Sequence, residues 1–72
     1  MKLLHNIDQV MSRPKLKKYA NGDIVVKPRQ SRNGRWQYGL FARAPGLKDY
    51  WLFWCDSQAL KELDELGVEF DG

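Results

Sequence analysis

Tyr50-Trp51-Leu52-Phe53-Trp54-Cys55-Asp56, YWLFWCD, decides how this chain can fold. As a strand its side chains alternate between two faces. Tyr50, Leu52 and Trp54 then cover one face, and Trp51, Phe53 and Cys55 the other. Both sets are large and apolar, yet the chain has 72 residues. A domain that short buries only a modest share of its surface and is marginally stable. Each face of this strand needs a cover.

One cover follows directly in the sequence. Asp56 or Ser57 suits a helix N-cap, and Ala59, Leu60, Leu63 and Leu66 then form the buried apolar stripe with Lys61, Glu62, Asp64 and Glu65 facing water. Gly67 stands where a left-handed C′ residue belongs, which brings Val68 back to Leu63 in a Schellman ending. Val68-Glu69-Phe70 can add a short strand.

Upstream, the chain reads as further strands. Asn33-Gly34 is a hairpin signal between DIVVKPRQ (23–30) and RWQYGLFAR (35–43), and Pro45-Gly46 turns the chain again before the aromatic strand. Pro28 cannot donate a ladder hydrogen bond and marks an edge or bulge. With a two-residue turn at Asn33-Gly34, Val25, Lys27, Arg29 and Ser31 share a face with Trp36, Tyr38, Leu40 and Ala42. Asn21-Gly22 is a second type I′ signal, so the basic stretch Lys15 to Ala20 reads as a short edge strand.

At the N-terminus, Leu3, Leu4, Ile7, Val10 and Met11 recur at helical spacing, and Pro14 stops the helix near Ser12. A helix so short needs something to pack against. The expected fold class is therefore α+β: one domain, 1–72, with a small antiparallel sheet of three to four strands within 15–56. A C-terminal helix at 57–66 packs on one face, and a short amphipathic helix lies within 1–13. The second face of the aromatic strand is left to that N-terminal helix or to a partner molecule.

Composition narrows the function. The single cysteine excludes an internal disulfide and a cysteine-rich zinc site. No run has the apolar length of a membrane span, and His5, Asn6, Asp8 and Gln9 interrupt any secretory core. A cytoplasmic protein with no membrane partner is expected. The net charge of +3 conceals two unlike lobes: residues 1–48 hold eleven Lys and Arg against Asp8 and Asp23, net +9, and residues 49–72 hold Lys61 against seven acids, net −6. A basic lobe of that strength calls for an acidic or polyanionic partner.

Catalysis finds no support in the residues. His5 and Cys55 are the only members of their types, and a nucleophilic pair needs contact and a third orienting group. Cys55 lies in the most apolar strand and reads as a small buried hydrophobe. No glycine-rich loop precedes a helix as a phosphate site requires, and no metal-ligand spacing occurs. The expectation is a protein that is not an enzyme, with no cofactor and no metal.

Three features are expected to bind instead, one of them the exposed basic hairpin tip RQSRNGR (29–35). The apolar stripe Leu3, Leu4, Ile7, Val10 and Met11, followed by Arg13, Lys15, Lys17 and Lys18, is of the kind that fills a groove on an acidic protein. On the sheet, Lys27 and Arg29 interleave with Trp36 and Tyr38, flanked by Arg32, Arg35 and Arg43, a mixture suited to phosphate contacts and base stacking.

The stretch GRWQYGLFARAPGLKDYWLFWCDSQALKELDEL (34–66) resembles the three-strand-plus-helix pattern of AP2-type and integrase arm-binding DNA-binding domains. Those domains lay their sheet in the major groove, and the resemblance implies that Arg29, Arg32, Arg35, Trp36, Tyr38 and Arg43 face DNA. In size, basic N-terminal arm and lack of catalytic residues the whole chain is also similar to small phage-encoded host-takeover regulators. That second resemblance implies a partner in a large host protein complex, RNA polymerase above all, with inhibition of initiation or antitermination as the outcome, nucleic acid close by and the host bacterial cytoplasm as the location. Anti-CRISPR inhibitors share this profile. The leading expectation is accordingly a non-catalytic transcription regulator docked on RNA polymerase, and the alternatives are a sheet-face DNA-binding domain or an anti-CRISPR. The apolar second face is also a surface on which two copies can pair.

Overall fold

A computed structural model describes residues 2–20 and 22–71. Helix α1 spans Lys2–Met11, a 3-10 helix spans Pro14–Tyr19, and strands β1 (Asp23–Gln30), β2 (Trp36–Arg43) and β3 (Tyr50–Trp54) follow. Helix α2 (Ser57–Glu65) and a two-residue strand β4 (Glu69–Phe70) complete the chain. The fold is α+β, as the sequence leads one to expect. The strands lie in the order β3-β2-β1-β4. The first three are antiparallel, while β4 adds in parallel to β1 and makes the sheet mixed.

Helix α2 follows its sequence signals except at Leu66, which is the C-cap and is 42% exposed instead of joining the buried stripe. Asp56 is the N-cap, its Oδ1 accepting from the Ala59 amide at 2.8 Å. At the other end the Val68 amide donates to the Leu63 carbonyl and the Gly67 amide to that of Asp64, both at 3.0 Å, with Gly67 at φ 80°. Those two bonds are the Schellman pair, and they turn the chain directly into β4.

Both helices cover the same side of the sheet. Leu3 and Ile7 of α1, Leu16 and Tyr19 of the 3-10 helix and Leu63 of α2 form one buried cluster with Val26, Leu40, Ala42 and Leu52. Residues 15–20 therefore do not form the expected edge strand. Pro14 opens a helix at its first turn without losing a bond, and residues three apart eclipse on a 3-10 helix. That spacing aims Leu16 and Tyr19 together into the core, where Tyr19 also donates its hydroxyl to the Lys48 carbonyl at 2.6 Å. The turn expected at Asn21-Gly22 involves Asn21, which lies outside the described residues.

Two one-residue shifts set what each sheet face carries. The β1–β2 loop is Arg32–Asn33–Gly34 rather than Asn33-Gly34 alone. The Ser31 amide donates to the Arg35 carbonyl at 2.7 Å, the Gly34 amide to the Ser31 carbonyl at 2.9 Å, and Gly34 stands at φ 84°. Asn33 keeps a negative φ, so the loop is a three-residue turn with a left-handed glycine instead of type I′. Pairing accordingly runs Val26↔Leu40, Pro28↔Tyr38, Gln30↔Trp36 and Arg29↔Gln37. A slip of one residue exchanges the faces: Lys27 and Arg29 lie opposite Trp36 and Tyr38, not among them.

The second shift is a bulge in β3. Leu40 pairs with Phe53 but Phe41 pairs with Trp51, leaving Leu52 as the extra residue. Strict alternation fails at that point. Tyr50, Leu52, Phe53 and Cys55 all join the core under the helices, and Trp51 and Trp54 come together on the other face, ring centroids 5.5 Å apart.

Candidate nucleic-acid interface

Among the described residues the second sheet face carries no helix; its own side chains cover it. Val25 and Phe41, a cross-strand pair, are 1% and 5% exposed there. Lys27 lies over the Phe41 ring, its Nζ 4.6 Å from the centroid, and the Arg29 guanidinium lies 5.4 Å over Trp51. Such cation–π contacts contribute roughly 0.5–1 kcal/mol at exposed sites and keep the aliphatic stems flat on the aromatics. Trp51 is seated on Gly39, where a Cβ would meet its Nε1 at 3.1 Å. That nitrogen is buried without a hydrogen-bond partner among the described residues, so the Trp51 donor is turned away from solvent.

Charge divides this face into two ends. At one end Arg43 donates from Nε to Asp49 Oδ1 at 3.0 Å and from Nη2 to Oδ2 at 2.8 Å, Lys27 donates to the same Oδ2 at 2.8 Å, and Arg43 reaches Asp71 at 2.9 Å. Hydrogen bonds from Arg43 first, and then from Lys27, hold the Asp49 carboxyl well below the usual carboxylate range despite its burial. Lys27 and Arg43 are thereby neutralised within the fold. At the other end Arg29, Arg32 and Arg35 have no ion-pair partner among the described residues. An open groove of about 710 Å³ lies there, lined by Arg29, Gln37, Trp51 and Trp54 together with the tip residues 30–33. None of its lining residues is acidic, and none belongs to a helix.

The residues singled out in the sequence thus separate. Leu3 and Ile7 are core, Val10 and Met11 pack against it, and of the apolar stripe Leu4 alone is exposed, at 43%. Leu3 and Ile7 are thus taken up by the domain's own core, and Val10 and Met11 are half-buried against it. Arg13, Lys15, Lys17 and Lys18 remain exposed on the helical side. Trp36 and Tyr38 are 68% and 44% exposed, so they are not core either; they flank the hairpin on the side opposite Arg29. Of the set implied by the DNA-binding resemblance, Arg29 and Arg43 lie on the helix-free face, with Arg43 tied to Asp49 and Asp71. Sequence reasoning misses Trp51, Trp54 and Gln37, because strict alternation separates the two tryptophans and a two-residue turn moves Gln37 away from Lys27 and Arg29.

Cys55 packs against the core, and burial first, with Asp56 second, pushes its thiol up to about 11. The thiolate is the reactive form, so native Cys55 should react with iodoacetamide at pH 8 on the order of 100-fold more slowly than in denaturant. Equal rates in the two conditions would place the sulfur in open solvent.

No helix among the described residues is long and apolar enough to cross a membrane. Comparison with protein-family models, with curated proteins and with solved structures gives no match to this chain.

Proposed function

We propose that this protein is a non-catalytic regulator that binds nucleic acid across the helix-free face of its sheet. One observation carries the reading: the Arg29 guanidinium over the half-buried Trp51 beside Trp54, lining an open groove at the end of the face where no acid competes. Arginine supplies phosphate contacts, and indole faces supply stacking surface that tolerates any base. The groove-lining set is Arg29, Arg32, Gln37, Trp51 and Trp54, with the exposed Arg35 beside it at the hairpin tip. This differs from the set the family resemblance implies, since Trp36 and Tyr38 face away and Arg43 is occupied.

A second reading, docking on an acidic protein such as a host RNA polymerase, draws its support from the exposed run Arg13, Lys15, Lys17 and Lys18. It has no help from α1, whose release would uncover Leu3 and Ile7.

The sheet-face reading is tested by fluorescence anisotropy with labelled oligonucleotides across a salt series. If Arg29, Arg32 and Arg35 each neutralise one phosphate, log affinity should fall with log salt at a slope of about −2 to −3. Replacing Arg32 and Arg35 with Gln should make the slope shallower by about one to two and leave the fold intact, since both are exposed. A slope unchanged in that double variant, or no binding at low salt, would defeat the reading.

A further inference from the structure

Resting on that reading, we infer that the groove takes unpaired bases, so that the ligand is single-stranded nucleic acid rather than an intact duplex. Trp51 and Trp54 are inclined at 60° rather than stacked in parallel, and each half-buried indole contributes to the lining of the groove, Trp51 beneath Arg29 and Trp54 beside it. A base can meet an indole face only when its own faces are free, which a duplex forbids and a single strand allows.

The charges point the same way. Reading a duplex groove needs side chains that stand out from the sheet toward base edges. Arg29 instead lies down on Trp51, on the floor beside the place where a base would stack. Gln37 is directly opposite Arg29 in the register and brings an amide to the same groove, a donor and acceptor suited to an exposed base edge. Arg32 extends the groove to the hairpin tip, giving a track for a backbone that leaves the stacking site. The volume of about 710 Å³ falls in the range of about 300–1,000 Å³ typical of ligand sites.

The test uses the full chain with a labelled single-stranded 12-mer, the same sequence as a duplex, and poly-glutamate as an acidic polypeptide, all at low salt. The single strand should bind at least about tenfold more tightly than the duplex. Trp54→Ala should weaken single-strand binding roughly 5- to 150-fold, the loss expected for one stacked base, while Trp54→Phe keeps most of the affinity and Trp36→Ala on the opposite face changes nothing. Arg29→Gln, at an exposed position, gives a second variant should Trp54→Ala fold poorly; it should weaken single-strand binding more than duplex binding. A duplex bound as tightly as the single strand, or indifference to both Trp54→Ala and Arg29→Gln, would overturn the single-strand inference and leave a sheet-face phosphate binder. Poly-glutamate bound as tightly as either oligonucleotide, or no binding of any probe, would overturn the sheet-face reading as well.

Discussion

Leu63→Ala is expected to cost the domain about 3 kcal/mol of unfolding free energy, within the usual range for a fully buried leucine. Leu63 is 0% exposed and belongs to the single cluster that joins α1, the 3-10 helix and α2 to the sheet. A chain of this length has about 4–11 kcal/mol of total stability, so the change removes about a quarter or more of it. Urea denaturation reads the loss directly as a lower midpoint at unchanged slope. Leu66→Ala, one turn further along, is the control. Leu66 is 42% exposed, and its truncation should cost well under 1 kcal/mol. Similar losses at both positions would mean that α2 is rotated relative to the sheet, and the helix-free face would no longer be defined.

Legibility in the sequence followed how local each signal was. Helix α2 could be read from end to end because Asp56, the leucine spacing and Gly67 each act within one turn of chain. The N-terminal stripe was equally clear as a helix, but its burial was not. Whether Leu3 and Ile7 face the chain's own core or a partner depends on where α1 packs, and no local pattern encodes that. The faces of the sheet failed for a different reason. Asn33-Gly34 marks a turn in either hairpin type, and the choice rests on the φ of Asn33, which residue identity leaves open. The β3 bulge gives no warning at all. YWLFWC is apolar at every position, so it contains no polar residue whose exposure would fix the phase of alternation. Those two shifts, each of one residue, carried Trp51, Trp54 and Gln37 onto the face of Arg29 and carried Trp36 and Tyr38 off it. The candidate site was therefore legible in kind, as basic and aromatic groups on a sheet, and illegible in membership.

Gly22→Ala should be the most damaging alanine substitution among the glycines at 22, 34, 39, 46 and 67. A Cβ at this position would sit 2.1 Å from the Arg43 carbonyl oxygen and 3.0 Å from its carbon, with the Ala44 Cβ at 3.2 Å. The obstacle is backbone, so no rotamer change relieves it. Either β1 moves away from the end of β2, breaking the pairing that begins at Asp23↔Arg43, or Arg43 shifts and its bonds to Asp49 and Asp71 go with it. Overpacking of this kind costs about 2–3 kcal/mol. Gly46→Ala separates this clash from glycine's conformational freedom, because Gly46 stands at φ 77° with nothing within 4 Å of an added methyl, and a left-handed alanine costs about 1 kcal/mol. If Gly22→Ala proved no worse than Gly46→Ala, the close approach of the two chain segments would be wrong. The same variant also probes how independent the two ends of the sheet are. Gly22 precedes β1 at the Asp49 end, whereas Arg29, Gln37, Trp51 and Trp54 line the groove at the hairpin end. At a temperature where the variant is still folded, its affinity for an oligonucleotide should match that of the unmodified chain. A parallel loss of stability and affinity would mean instead that the Asp49 cluster sets the position of the groove.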